Sequence, residues 1–146
     1  MAQICFYTHD IQYTLRNKRI IREWITDTAA NEHKEIGEIS YMFGDDAYVL
    51  EINKQYLQHD FLTDIITFDD SEGDVLNGDM VISLERVKEN AKIFQTSMEK
   101  ELLRVLIHGI LHLCGYKDKT AKEERQMREK EDHYIGRFYD NFLKIR

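Results

Sequence analysis

The stretch Val105-Leu-Ile-His108-Gly-Ile-Leu-His112-Leu-Cys-Gly115-Tyr-Lys-Asp118 decides how the chain folds. From Val105 to Leu113 the residues are nearly apolar all round, so this half of a helix belongs in the interior. Within it two histidines stand four apart, and at about 100° per residue they share one face. Gly115 is the residue type that ends a helix in a left-handed turn. Such a turn lets Asp118 swing back toward the same point. His108, His112 and Asp118 are therefore candidate ligands for one metal ion.

Working outward, Thr120-Ala-Lys-Glu123 has the form of a capping box and opens a last helix with Met127, Tyr134, Ile135, Phe138 and Phe142 inward. On the other side Thr96-Ser-Met-Glu99 resembles a second capping box, opening the histidine-bearing helix, which is polar through Arg104. Leu84, Val87, Ala91 and Phe94 mark an amphipathic helix before it. Asp79–Leu84 and Asp64–Phe68 read as strands. The acids and glycines of Asp69 to Gly78 between them read as a solvated loop. That acidic run lacks the ligand spacing of an EF-hand. Earlier still, Gly44-Asp45-Asp46 starts a helix with Tyr48, Val49, Ile52 and Tyr56 on one face. Ile39–Phe43 and Ile4–Thr8 read as strands, and Asn17–Ala29 as a helix burying Ile20, Ile21, Trp24, Ile25 and Thr28. The order predicts an α+β fold over residues 1–146 as one domain, with a small four-stranded mixed sheet, about five helices, and the metal motif on a buried one.

Composition narrows the class. Hydrophobic residues at 42% and charged residues at 32% belong to soluble globular proteins. No apolar run has the length of a membrane helix, and no basic segment followed by an apolar core opens the chain. With two cysteines only, a disulfide scaffold is excluded and a cytoplasmic location is expected. A net charge of −7 argues against indiscriminate nucleic-acid binding, which needs clustered cations. Local basic patches remain at Arg16, Lys18, Arg19 and Arg22, and at Lys117, Lys119 and Lys122. Proline is absent, so no proline-rich linker divides the chain.

Spacing alone is weak evidence for a metal. With six histidines in the chain, chance supplies about 0.24 pairs four apart. The apolar setting is stronger, because two buried imidazoles without partners cost a few kcal/mol. A metal would serve both, although core histidines bonded to backbone or acids are the alternative. Gly109 inside a helix costs about 1 kcal/mol relative to alanine, so something should approach that turn closely, a strand or a substrate. Cys114 points away from the histidine face and reads as a small core residue. Three protein ligands favour a catalytic over a structural zinc site, since catalytic sites keep a position open. One divalent ion is expected, zinc first, although two histidines and a carboxylate also suit iron, manganese or nickel. In His-Glu-x-x-His proteases the general base follows the first histidine. Gly109 stands there, which counts against a peptidase.

His108-Gly-Ile-Leu-His112-Leu-Cys-Gly-Tyr116 resembles the signature of the YbeY endoribonucleases, metal-dependent enzymes of ribosomal RNA maturation. Asn53-Lys-Gln-Tyr56, Asp60, Thr63-Asp64-Ile-Ile-Thr-Phe68, Gly78-Asp79-Met-Val-Ile82, Met127 and Glu131 extend the resemblance in order. It implies hydrolysis of single-stranded RNA in small-subunit ribosomal RNA maturation and ribosome quality control, with the ribosome or its proteins as partners and no membrane. His108 and His112 match the first two metal ligands. The chain departs from the family at Asp118, where a third histidine is usual, and at Lys117, where an aspartate precedes it. It departs again at Leu57, the place of a usual arginine, and at Leu62, the place of a usual proline. Asp64, Asp79 and His59 are candidates for assisting proton transfer. Two other readings stand beside this one: a peptidase-like or other metal hydrolase, and a ribosome-associated binding module with a structural metal.

Overall fold

The computed structural model of the chain describes residues 2–143. Its elements run β1 (Gln3–Thr8), α1 (Lys18–Asn31), β2 (Glu35–Gly44), α2 (Asp46–Leu57), β3 (Ile65–Asp69), β4 (Val75–Ser83), α3 (Leu84–Ile93), α4 (Met98–Leu113) and α5 (Ala121–Arg137), followed by a wider π-type turn at Phe138–Phe142. The sheet order is β1-β2-β4-β3. β2 pairs in parallel with β1 and β4, and β3 is antiparallel to β4. The expected α+β order of a mixed four-stranded sheet and five helices is the one found.

Side chains alternate across the sheet as the strand period requires. On β4, Leu76, Met80 and Ile82 enter the main core with Trp24, Leu106, Ile107 and Ile110, whereas Val81 turns to the opposite face and meets Val49 and Ile66. So α2 covers one face of the β3–β4 hairpin and α4 the other, with α1 packed against β2 and α5 against α4. Trp24 is wholly buried and donates its indole N–H to the Tyr134 carbonyl at 2.7 Å. Tyr41, also wholly buried, donates to the Leu106 carbonyl at 2.9 Å and ties the sheet to α4. Among the described residues no helix is long and apolar enough to cross a membrane.

Several local expectations need correction. The solvated loop is shorter than expected, because β3 runs to Asp69 and β4 starts at Val75, where pairing with Glu35 of β2 captures it. The α4 cap is Ser97, whose hydroxyl accepts from Lys100 N–H at 3.0 Å. Lys100 then occupies the third helical position, so no capping box forms around Thr96. Thr120 and Glu123 do form one. Phe94 and Tyr56 do not face inward: they are 53% and 61% exposed. Phe94 lies just beyond the last turn of α3, and the buried face of α2 is Val49 and Asn53 instead.

Glu32, at the end of α1, joins that helix to α5. It accepts from Tyr116 Oη at 2.7 Å, from Lys130 Nζ at 3.1 Å, and from Tyr134 Oη. Desolvation alone would raise the pKa of this carboxyl, but the three donors together outweigh it and the net direction is downward. A carboxyl held below its unfolded value stabilises the fold above the unfolded pKa of about 4.3 and loses that contribution as pH falls through the folded value. Urea midpoints of wild type and Glu32→Gln should differ at pH 7 and converge on acidification below the unfolded pKa. Parallel curves across that range would show the cluster to be energetically idle.

Candidate metal centre

From Glu101 onward one stripe of α4 is polar although the rest of the helix is core. Glu101, Arg104, His108 and His112 follow at three- and four-residue steps and so lie along one face, while Leu102, Leu103, Val105, Leu106, Ile107, Ile110, Leu111 and Leu113 are buried around them. Polarity therefore does not end at Arg104, and Glu101 is itself buried, 3% exposed. Gly109 is small because β3 and β4 press on this turn. A methyl group there would run into the Met80 sulfur and approach Ile65 Cδ1 to 3.1 Å. A strand, not a substrate, explains that glycine. Cys114 is half-buried against the core, and burial together with Glu32 pushes its thiol up to about 11.

The helix stops as its glycine predicts. Gly115 has φ +106°, its N–H reaches the His112 carbonyl at 2.9 Å, and the Tyr116 N–H reaches Leu111 at 3.1 Å. This is the Schellman arrangement, and it reverses the chain so that Asp118 returns over the histidines. Asp118 Oδ2 lies 3.3 Å from both His108 Nε2 and His112 Nε2. The three ligand atoms fall within 4.8 Å of one another, and no other such group converges among the described residues. Tetrahedral zinc with bonds of 2.0–2.2 Å places neighbouring ligand atoms about 3.3 Å apart. The donor set fits one such ion. The side chains keep 20%, 28% and 38% of their surface exposed, which leaves an open side.

Glu131 of α5 is the residue that the spacing argument did not single out. Its Oε2 accepts from His108 Nδ1 at 2.6 Å, which leaves Nε2 as the lone-pair nitrogen facing Asp118. A carboxylate behind a ligating histidine fixes the tautomer and raises basicity. A signal was present: on α5, Glu131 lies one turn after Met127 and shares its buried face with Tyr134 and Ile135. Arg104 completes the support, with Nη1 at 3.0 Å from Glu131 Oε1 and Nη2 at 2.7 Å from Asp132 Oδ1. Desolvation would lower the His108 pKa, but the hydrogen bond and charge of Glu131, backed by Asp118 and Asp64, carry it upward. Asp64 moves upward too, chiefly through burial.

Two clefts meet at this point. One, of about 800 Å³, runs between α3, α4 and α5, and the other, of about 460 Å³, runs between α2, the 58–64 loop and β3. Both are walled by Asp64, His108 and Asp118. Of the proton-transfer candidates, Asp64 lies at the junction and His59 in the smaller cleft, whereas Asp79 bonds Ser40 on a different part of the sheet and lines neither. Leu57, at the family's arginine position, lines the smaller cleft. The lysines at 117, 119 and 122 line neither.

Comparison with known proteins agrees with these features. The family model described as Endoribonuclease YbeY matches residues 3–139. An endoribonuclease YbeY of Porphyromonas gingivalis is 49% identical over 135 residues, 92% of this chain and 89% of its own length. One from Bacteroides fragilis is 51% identical over 133 residues, covering 91% and 96%. A solution structure from Thermotoga maritima aligns with a TM-score of 0.66 at 28% identity, covering 94% of this chain and 89% of that one. With the match spanning nearly the whole described fold, the chain belongs to the YbeY endoribonuclease family.

Proposed function

We propose that the chain, acting as one domain over residues 1–146, is a cytosolic metal-dependent endoribonuclease. Its substrate in this reading is single-stranded ribosomal RNA, cut during maturation and quality control of the small ribosomal subunit. The observation that carries the proposal is the convergence of His108 Nε2, His112 Nε2 and Asp118 Oδ2 where two clefts meet. His108, His112 and Asp118 would hold one divalent ion, zinc in the first instance. When bound, such an ion supplies Lewis acidity to a phosphodiester and to the attacking water. The chain's own part is geometric and electrostatic. Glu131 keeps the His108 proton on Nδ1, the Gly115 turn holds Asp118 over both rings, and the paired clefts admit an extended strand on either side.

The peptidase-like alternative finds no support, since Gly109 is packed against Met80 and Ile65 and offers no base. Purified protein should cut a single-stranded ribosomal RNA fragment, and chelation or His112→Ala should abolish the cut. Asp118→Ala should lower the metal content of freshly purified protein, read by elemental analysis beside wild type. Cleavage surviving both chelation and His112→Ala would sink the proposal. If chelation instead collapsed the melting temperature, the ion would be structural.

A further inference from the structure

Eight large hydrophobic side chains are exposed among the described residues, and six of them fall in two short segments: Tyr56, Leu57, Phe61 and Leu62, then Ile93 and Phe94. These segments border the two clefts. Phe61 is 55% exposed, lines the smaller cleft, and stacks on His59 with ring centroids 5.1 Å apart and planes within 22°. Phe94 lines the larger cleft, and the Arg128 guanidinium lies 5.4 Å from its ring centroid. Flat groups at the mouths of two clefts, with a candidate cleavage centre between them, match the geometry of a single strand laid across with its bases unstacked.

The first platform is held in place. Asn53, 1% exposed, donates its side-chain amide to the Phe61 carbonyl at 2.8 Å, and its own carbonyl accepts from the His59 N–H at 3.1 Å. A buried asparagine thus ties down both members of the pair from below.

Charge decides what else could hold the strand. Among the described residues no Lys or Arg lines the smaller cleft. In the larger one six carboxylates outnumber three arginines among the described residues, and Arg104 is already committed to Glu131 and Asp132. Neither cleft is a cationic track for phosphates, so base faces are the part of the ligand these walls can recognise.

We propose that single-stranded RNA crosses the candidate metal centre from one cleft to the other, with one base stacked on His59–Phe61 and another on Phe94–Arg128. Stacking, rather than phosphate neutralisation, then supplies most of the affinity. The inference rests on the RNA-hydrolase reading for its choice of ligand, and its test uses binding rather than cleavage.

The probe is a short single-stranded RNA carrying a fluorescent adenine analogue, titrated with the metal-free full chain. Fluorescence should quench on binding. Phe61→Ala and Phe94→Ala should each weaken binding roughly 5-fold or more, and Phe61→Trp should restore it. The slope of log affinity on log salt should be shallower than about −2, the value for roughly three neutralised phosphates on a single strand. Unchanged affinity in both alanine variants, or a steep salt slope, would overturn the proposal, and so would absence of binding. Quenching and loss on alanine substitution with no cleavage by the metal-loaded protein would uphold the platforms and remove the hydrolase reading alone.

Discussion

Replacing Arg104 by methionine is expected to destabilise the fold by about 3–5 kcal/mol, the cost of stranding a buried partner charge. The Arg104 side chain is 16% exposed and sits among carboxylate side chains that are more buried still, Glu131 at 6% and Glu101 at 4% of their side-chain surface. It is the guanidinium through which α4 holds α5, with contacts at 3.0 Å to Glu131 and 2.7 Å to Asp132. Methionine fills similar volume, so packing is largely kept and the loss isolates the charge. Against a total stability of about 5–15 kcal/mol for a typical domain, the change is large. Urea unfolding should show a lower midpoint with an unchanged slope. Arg104→Lys, which keeps the charge without the fork, should lose less. Adding Glu131→Gln to Arg104→Met should recover part of the loss, because one stranded carboxylate is then gone. A single variant as stable as wild type would mean that water reaches these carboxylates and the network contributes little.

Glu131→Gln alone should leave most of the stability and remove 10–100-fold of metal affinity, the usual cost of losing a carboxylate behind a ligating histidine. The amide is nearly isosteric with the carboxylate, yet it brings no charge to hold the His108 Nδ1 proton, and its NH₂ end competes as a donor at the 2.6 Å contact. Competition against a chromophoric chelator measures the affinity directly. Equal affinity in the two proteins would show that α5 supports the fold without tuning His108.

The chain order of strands and helices could be read from periodicity because each element carries its own pattern, and α4 stood out by being apolar on nearly every side. The candidate ligands could be read for a local reason too: His108, His112, Gly115 and Asp118 lie within a single helix end and its turn. What could not be read depends on partners distant in sequence. The start of β4 is set by pairing with Glu35, and the role of Glu131 is set by packing of α5 on α4. Phe94 fits an inward helical face by count, but α3 ends at Ile93 and leaves that ring beside a cleft. At Leu57 the smaller cleft has an apolar wall, and among the described residues no Lys or Arg lines it in the arginine's place.

The hydrogen bond from His108 to Glu131 also has a meaning in time. Glu131 belongs to α5, after every strand and every other α-helix in the described chain. During synthesis α4 is made before α5, and until α5 docks, His108 Nδ1 lacks the Glu131 acceptor and Arg104 has neither of its α5 partners. The candidate centre is therefore finished last. A nascent chain carries the histidine pair before it carries the means to orient it, so competence at this site arrives with closure of the fold and not before.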